Sequence, residues 1–190
     1  MTAHPRVLLF PHAMLRRRAD PLPDSAFGTS ALRDYCQVMA NLLVATERAH
    51  VLAGTQIDFD PPWRVLALSV GNAKGSGYSV MCNPVIKDEG GEAAEFEMSA
   101  SFACVPVVLS APDKLTVQYR KPDGSRREVV CSRSGARSIF QGVESLNGKP
   151  IIDRMTAAGA QQFIRRYRDE LDERVAPEIF LPGETITQLH

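Results

Sequence analysis

Between Arg64 and Cys131 the chain is a succession of short apolar runs broken by turn signals, and helical patterns lie on both sides of it. That order is the strongest constraint on the fold. Strands gathered in the middle and helices placed outside give an α+β class with antiparallel or mixed sheets, not the alternating pattern of a parallel sheet. The clearest turn is Lys121-Pro122-Asp123-Gly124-Ser125: Pro presets φ and Gly supplies a positive φ, so Lys114–Arg120 and Arg126–Cys131 form a hairpin. Further strands are expected over Arg64–Val70, Tyr78–Ile86 (ending at Asn83-Pro84), Glu95–Phe102 and Pro106–Ser110, with Ile151-Ile152 as a short one.

The helices are legible from their apolar spacing. Leu32, Tyr35, Val38, Met39, Leu42 and Leu43 recur three and four apart after Thr29 or Ser30, a suitable N-cap, and predict a helix to about Arg48. A second helix is expected over Arg133–Leu146, buried through Ile139, Phe140, Val143 and Leu146, with Gly148 at its C-terminal cap. A third runs over 157–176, with Phe163, Ile164, Tyr167 and Leu171 on one face. Residues 1–26 predict an extended, proline-rich arm whose Arg16-Arg17-Arg18 run is solvated.

At 190 residues the chain is expected to make a single domain, 1–190. Basic and acidic residues number 22 each, so the balance predicts neither nucleic-acid nor membrane-surface binding. Val7-Leu8-Leu9-Phe10 is too short for a signal core, and no run approaches the ~18 apolar residues of a membrane span. Cys36, Cys82, Cys104 and Cys131 are scattered without a C-x-x-C pair. A cytoplasmic location with reduced thiols is the expectation. The oligomeric state is left open.

The segment Ile139–Gly148 looks like a metallohydrolase helix without its metal-binding residues. Such a helix carries H-E-x-x-H, two histidines one turn apart on one face and a glutamate that works on the bound water. The corresponding positions here are Gln141, Gly142 and Ser145.

Three ordered segments resemble the peptide deformylase family. Its first motif, G-x-G-L-A-A-x-Q, is matched by Ala49-His50-Val51-Leu52-Ala53-Gly54-Thr55-Gln56, where both glycines are gone and Leu52, Ala53 and Gln56 remain. Its second, E-G-C-L-S, falls on Glu97-Met98-Ser99-Ala100-Ser101. Its third, Q-H-E-x-D-H before L-N-G, falls on Phe140–Ser145 before Leu146-Asn147-Gly148, and Ile152-Asp153-Arg154-Met155 matches the common I-D-R-M continuation. The Val7-Leu8, Pro11 and Leu15-Arg16 arm and Asn83-Pro84 also fit.

The resemblance implies a deformylase-type fold: sheets around a central helix, and a C-terminal helix. It also implies what has changed. The metal-binding cysteine and two histidines become Ser99, Gln141 and Ser145, the acid/base glutamate becomes Gly142, and the family aspartate becomes Glu144. A hydroxyl and an amide are poor substitutes for a thiolate and imidazoles, so no metal and no cofactor are expected. The basic residue that clamps the peptide backbone is replaced by Ala111. The resemblance places a substrate groove along Val51, Leu52, Met98 and Ala100.

Three functions are compatible with this. The first is a pseudoenzyme or binding protein that keeps a groove for a peptide or acylated small molecule. The second is a metal-independent acyl or formyl transferase or hydrolase, with His50 as general base toward Ser99 or Cys104 and with Gln56 and Glu144 nearby. The last is residual metal-dependent deformylase activity. The plainer expectation for the cluster is that Gln141, Glu144 and Ser145, at i, i+3 and i+4, join Gln56 and Ser99 in filling the vacated volume by hydrogen bonding. His4, His12 and His190 show no ligand spacing, and Asp58 and Asp60 flank Phe59 in a loop. The acidic content of the last helix (Asp169, Glu170, Asp172, Glu173) argues against a ribosome contact through phosphates.

Overall fold

A computed structural model describes residues 5–46, 48–70 and 77–174. Helix α1 spans Ser30–Ala45 and is capped by Thr29, whose hydroxyl accepts the amide of Leu32 at 3.2 Å. Strands β1 (Val51–Ala53), β2 (Val65–Val70) and β3 (Gly77–Gly90) follow. Then come β4 (Ala93–Glu97), β5 (Val107–Ala111), β6 (Lys114–Arg120) and β7 (Arg126–Ser132). Helices α2 (Arg133–Leu146) and α3 (Ala157–Arg174) complete the described chain. One antiparallel sheet has the order β1-β2-β3-β6-β7, and β4-β5 form a second, two-stranded one. The α+β class expected from the sequence is what the chain forms.

Alternation along the strands sorts side chains to two faces of the larger sheet. Leu52, Val65, Ala67 and Cys82 pack beneath α1 with Leu32, Tyr35, Met39 and Leu43. Val51, Ala53, Leu66, Leu115 and Val117 face the opposite way, onto Ala136, Ile139, Val143 and Leu146 of α2. Helix α2 is therefore the central one. A third cluster joins Phe102 and Leu109 to Phe163, Tyr167 and Leu171 of α3. It also ties in the N-terminal arm, because the Tyr167 hydroxyl donates to the Phe10 carbonyl at 2.8 Å.

Several expectations are corrected. The helix α1 ends at Ala45 rather than Arg48, where the Thr46 hydroxyl turns back to the Leu42 carbonyl at 2.7 Å. β3 does not end at Asn83-Pro84. It continues to Gly90 through a bulge between Cys82 and Val85, with Asn83 at φ 51°. The run Glu95–Phe102 is not one strand: β4 stops at Glu97 and Ala100–Phe102 form a 3-10 turn. Small side chains at 99–101 allow that turn, and Ala103 and Cys104 leave it at φ 51° and 55°. Ile151-Ile152 is likewise a 3-10 turn, Ile151–Arg154, closed by the Asp153 amide on the Pro150 carbonyl.

The arm is extended but not loose. Leu8 donates its amide to the Gln56 carbonyl (2.8 Å) and Phe10 to that of Ser101 (2.9 Å), so the arm is bonded to both segments it covers. Arg16, Arg17 and Arg18 are exposed as expected, with Arg16 on Asp153 and Arg17 on Asp60. Gly148 holds φ 76° after α2, as a C-terminal cap glycine does. The expected tail 178–190 and the end of the last helix beyond Arg174 lie outside the described residues, as do His4 and His190. No helix among the described residues is long and apolar enough to cross a membrane.

Candidate functional site

The site is the junction of three pieces: the turn after β1, the turn after β4, and the inward face of α2. Gln56 sits at its centre, 4% exposed. Its Oε1 accepts the Ala53 amide at 2.9 Å, and its Nε2 donates to the hydroxyls of Ser99 and Ser101, both at 3.1 Å. From α2, Gln141 Nε2 donates to the Met98 carbonyl at 3.0 Å. The Ser145 hydroxyl donates to the Gln141 carbonyl within its own helix, and Thr55 Oγ1 donates to the Ser145 carbonyl, both at 2.9 Å. Polar side chains this deeply buried must find partners, and here they find one another.

Glu144 departs from the expectation that it shares this face. Its carboxylate turns outward, 3.5 Å from Lys149 Nζ. His50 is exposed just before β1, with its carbonyl taking the Ser69 amide, whereas Ser99 is 3% exposed. Among the described residues no hydrogen bond joins the two. Of the expected groove residues, Val51, Leu52 and Ala100 are buried at 3%, 0% and 4% exposure; Met98 is half-buried.

Position 142 is tightly packed. A Cβ placed on Gly142 would lie 2.8 Å from Val51 Cγ2, 2.8 Å from Leu66 Cδ2 and 3.0 Å from Leu66 Cδ1. The space into which a side chain would extend from here is filled by two core residues. Position 54 is equally closed, because a Cβ there would sit 2.0 Å from the Trp63 carbonyl oxygen.

Three groups that sequence reasoning missed hold the turn after β4. Glu97, with its side chain 3% exposed, accepts from Arg137 Nη2 (2.8 Å) and from both Arg154 nitrogens (2.6 and 2.8 Å). Arg137 also donates to the carbonyls of Ala93 and Leu109, and Arg154 to that of Ser110. Thus α2 and the 3-10 turn Ile151–Arg154 are bolted to β4 and β5. The signal was Glu97 and Arg154 standing in two separate motifs, though their pairing is not visible in either. The groups with displaced pKa values lie elsewhere. Burial pushes the Tyr35 and Tyr167 phenols up, and a shared hydrogen bond raises the Cys82 thiol while lowering that of Cys36.

A family model for polypeptide deformylase matches residues 5–161. The chain belongs to the polypeptide deformylase family. Its fold is similar to that of a peptide deformylase from Legionella pneumophila, with TM-score 0.79, 21% identity, and coverage of 90% of this chain and 98% of that one. It is also similar to a plant peptide deformylase, PDF1B, with TM-score 0.78, 20% identity, and coverage of 97% and 98%. A peptide deformylase from Thermus thermophilus aligns with TM-score 0.73, 21% identity, and coverage of 88% and 95%. No match is found among curated protein sequences.

A deformylase fold implies a metal, and the residues here do not fit one. The three positions that the motif resemblance puts at the family's ligands, Ser99, Gln141 and Ser145, offer a hydroxyl that accepts from Gln56, an amide that donates to a main-chain carbonyl, and a hydroxyl bonded back to its own helix. None is a thiolate or imidazole, the groups that supply most of a transition metal's affinity. Among the described residues, no three His, Cys, Asp or Glu side chains gather elsewhere to hold an ion.

Proposed function

We propose that this member of the deformylase family is a peptide-binding protein that works without the family's metal chemistry. The observation that carries this reading is the packing of Val51 and Leu66 against Gly142. The glutamate aligned there would have to enter a filled core and leave a charge unpaired in it, which the surrounding apolar side chains do not allow.

The binding half rests on the strand edges. β1 is an end strand of the larger sheet and β4 an end strand of the smaller; β4 is exposed over residues 94–96, and the buried β1 is reached through the exposed His50 that precedes it. An extended peptide recognises such edges through main-chain hydrogen bonds, with side chains entering pockets on alternate sides. A solved deformylase from Acinetobacter baumannii is described as Met-Ala-Ser bound, which makes that tripeptide a suitable probe.

The test uses Met-Ala-Ser and its formylated form. Binding is followed by amide chemical shifts, and deformylation by formate release with and without added zinc, nickel or ferrous iron. The reading expects shifts at residues 51–53 and 97–100, and no metal-stimulated formate above the protein-free blank. Metal-dependent turnover abolished by Ser99→Ala overturns the metal-free half. Unmoved amides at both edges overturn the peptide-binding half.

A further inference from the structure

The far side of the larger sheet carries a second concavity. Helix α1 packs over its β1, β2 and β3 side, while the outer face of β6 and β7 is left open around a cavity of about 470 Å³. Its lining includes Asn83, Val85, Gln118, Arg120, Arg126 and Glu128. The volume is in the range of small-ligand sites.

Two features shape it. The β3 bulge sets Asn83 and Pro84 against one residue of β6, since Cys82 pairs with Arg120 and Val85 with Gln118. Bulges of this kind re-aim side chains beside functional surfaces. The second feature is charge. Arg120 and Arg126 are direct cross-strand partners at the mouth of the hairpin turn. Like charges placed opposite each other on one sheet face are mutually destabilising. The next pair on that face, Gln118 and Glu128, is instead complementary, with a 2.8 Å hydrogen bond.

The two guanidiniums are not equivalent. Arg120 is fixed: its Nε donates to the Gly124 carbonyl at 3.1 Å, its Nη1 pairs with Asp24, and its plane lies 3.6 Å over the Phe27 ring. Arg126 is exposed, and among the described residues its side chain has no hydrogen-bond or ion-pair partner. Of the nearby acids, Asp24 pairs with Arg120 and Glu128 lines the same concavity, so Arg126 is the cation left without a direct partner among the described residues. The Asp24 side chain is 94% exposed, and such ion pairs are weak. Asp123 is taken up capping the Ser125 amide, and Lys121 adds another cation at the turn.

We propose that this concavity binds a phosphate-type oxyanion between Arg120 and Arg126, with Arg120 as the preset half of the clamp and Arg126 closing on it. Paired guanidiniums suit a tetrahedral oxyanion: Arg126 presents a whole fork of donors, and Arg120, whose Nε and Nη1 are engaged, adds its Nη2. Glu128 limits the charge tolerated beyond the anion, and it accepts donors from an organic body attached to it. The site lies on the opposite face of the sheet from α2 and does not depend on the peptide-binding reading.

The experiment records amide shifts of the full chain with inorganic phosphate, at ionic strength matched by sodium chloride, then with glycerol 3-phosphate. Shifts centred on residues 118–128 are expected with phosphate and not with chloride. Tighter binding of glycerol 3-phosphate marks a phosphomonoester as the ligand, whereas equal affinity marks free phosphate. Arg126→Gln is expected to weaken binding about tenfold or more, and Arg126→Lys by less. Thermal unfolding gives a second readout. In phosphate-free buffer Arg126→Gln melts at or above the native temperature, because a like-charge pair has been relieved, yet it loses the rise that phosphate gives the native chain. Shifts matched by chloride, or full binding retained in Arg126→Gln, overturn the proposal.

Discussion

Val51 and Leu66 together close the space beside Gly142. The family motif has a glycine at the position of Val51 and a glutamate at that of Gly142, and here bulk has moved from the helix to the strand. Val51 Cγ2 occupies the place where a side chain on α2 would begin. The same logic applies at Gly54, where the motif has alanine and the Trp63 carbonyl now stands in the way. Ordinarily Gly→Ala within a helix gains up to about 1 kcal/mol. At 142 the contacts reverse that sign, and Gly142→Ala is expected to destabilise by about 1–3 kcal/mol. Trimming Val51 to Ala should absorb part of that penalty, the rest falling on Leu66. A urea-unfolding double-mutant cycle is then expected to show a coupling of about 1 kcal/mol or more. Additive single changes would mean that the two side chains do not compete for one space.

At the scale of elements, the turn after β4 is held by charge as well as by packing. Glu97 is the shared carboxylate of two buried or nearly buried arginines, and together they join α2, β4, β5 and the 3-10 turn at Ile151–Arg154. Removing the carboxylate leaves Arg137, whose side chain is 4% exposed, with only the more distant Glu95 carboxylate, 3.8 Å from its Nε. Glu97→Ala is expected to cost about 3–5 kcal/mol, measured by chemical denaturation. A loss below about 1 kcal/mol, the level of a surface pair, would show that the network carries little of the turn's stability. This network fixes the frame of the site from one step outside the hydrogen-bonded cluster of Gln56, Ser99 and Gln141.

Across the whole molecule, much of the frame was legible because its signals are local. The hairpin turn, the Thr29 cap, the Gly148 cap and the 3.6-residue periodicity each sit within a few residues of what they determine. The misread segments are those where distant packing decides. Glu95–Phe102 alternates like a strand, yet Ser99, Ala100 and Ser101 are small enough to turn under the arm and meet Gln56. Ile151-Ile152 is β-branched, yet Ile151 is used to pack against the α3 cluster. Glu144 has the spacing to face the cluster, but a carboxylate there would be buried without a cation, and Lys149 stands outside. That Ser99, Gln141 and Ser145 stand at the motif positions was legible in the sequence. That Val51 had grown into the space beside Gly142 was not, because the two meet only when β1 is laid under α2.

The central claim is that the family's metal centre has been replaced by a packed, internally hydrogen-bonded cluster. Equilibrium dialysis of the full chain against zinc, nickel and anaerobic ferrous iron, followed by elemental analysis, tests it most directly. The account predicts far less than one equivalent of any metal, and no change between the native chain and Ser99→Ala. One full equivalent bound by the native chain and lost in Ser99→Ala would contradict it.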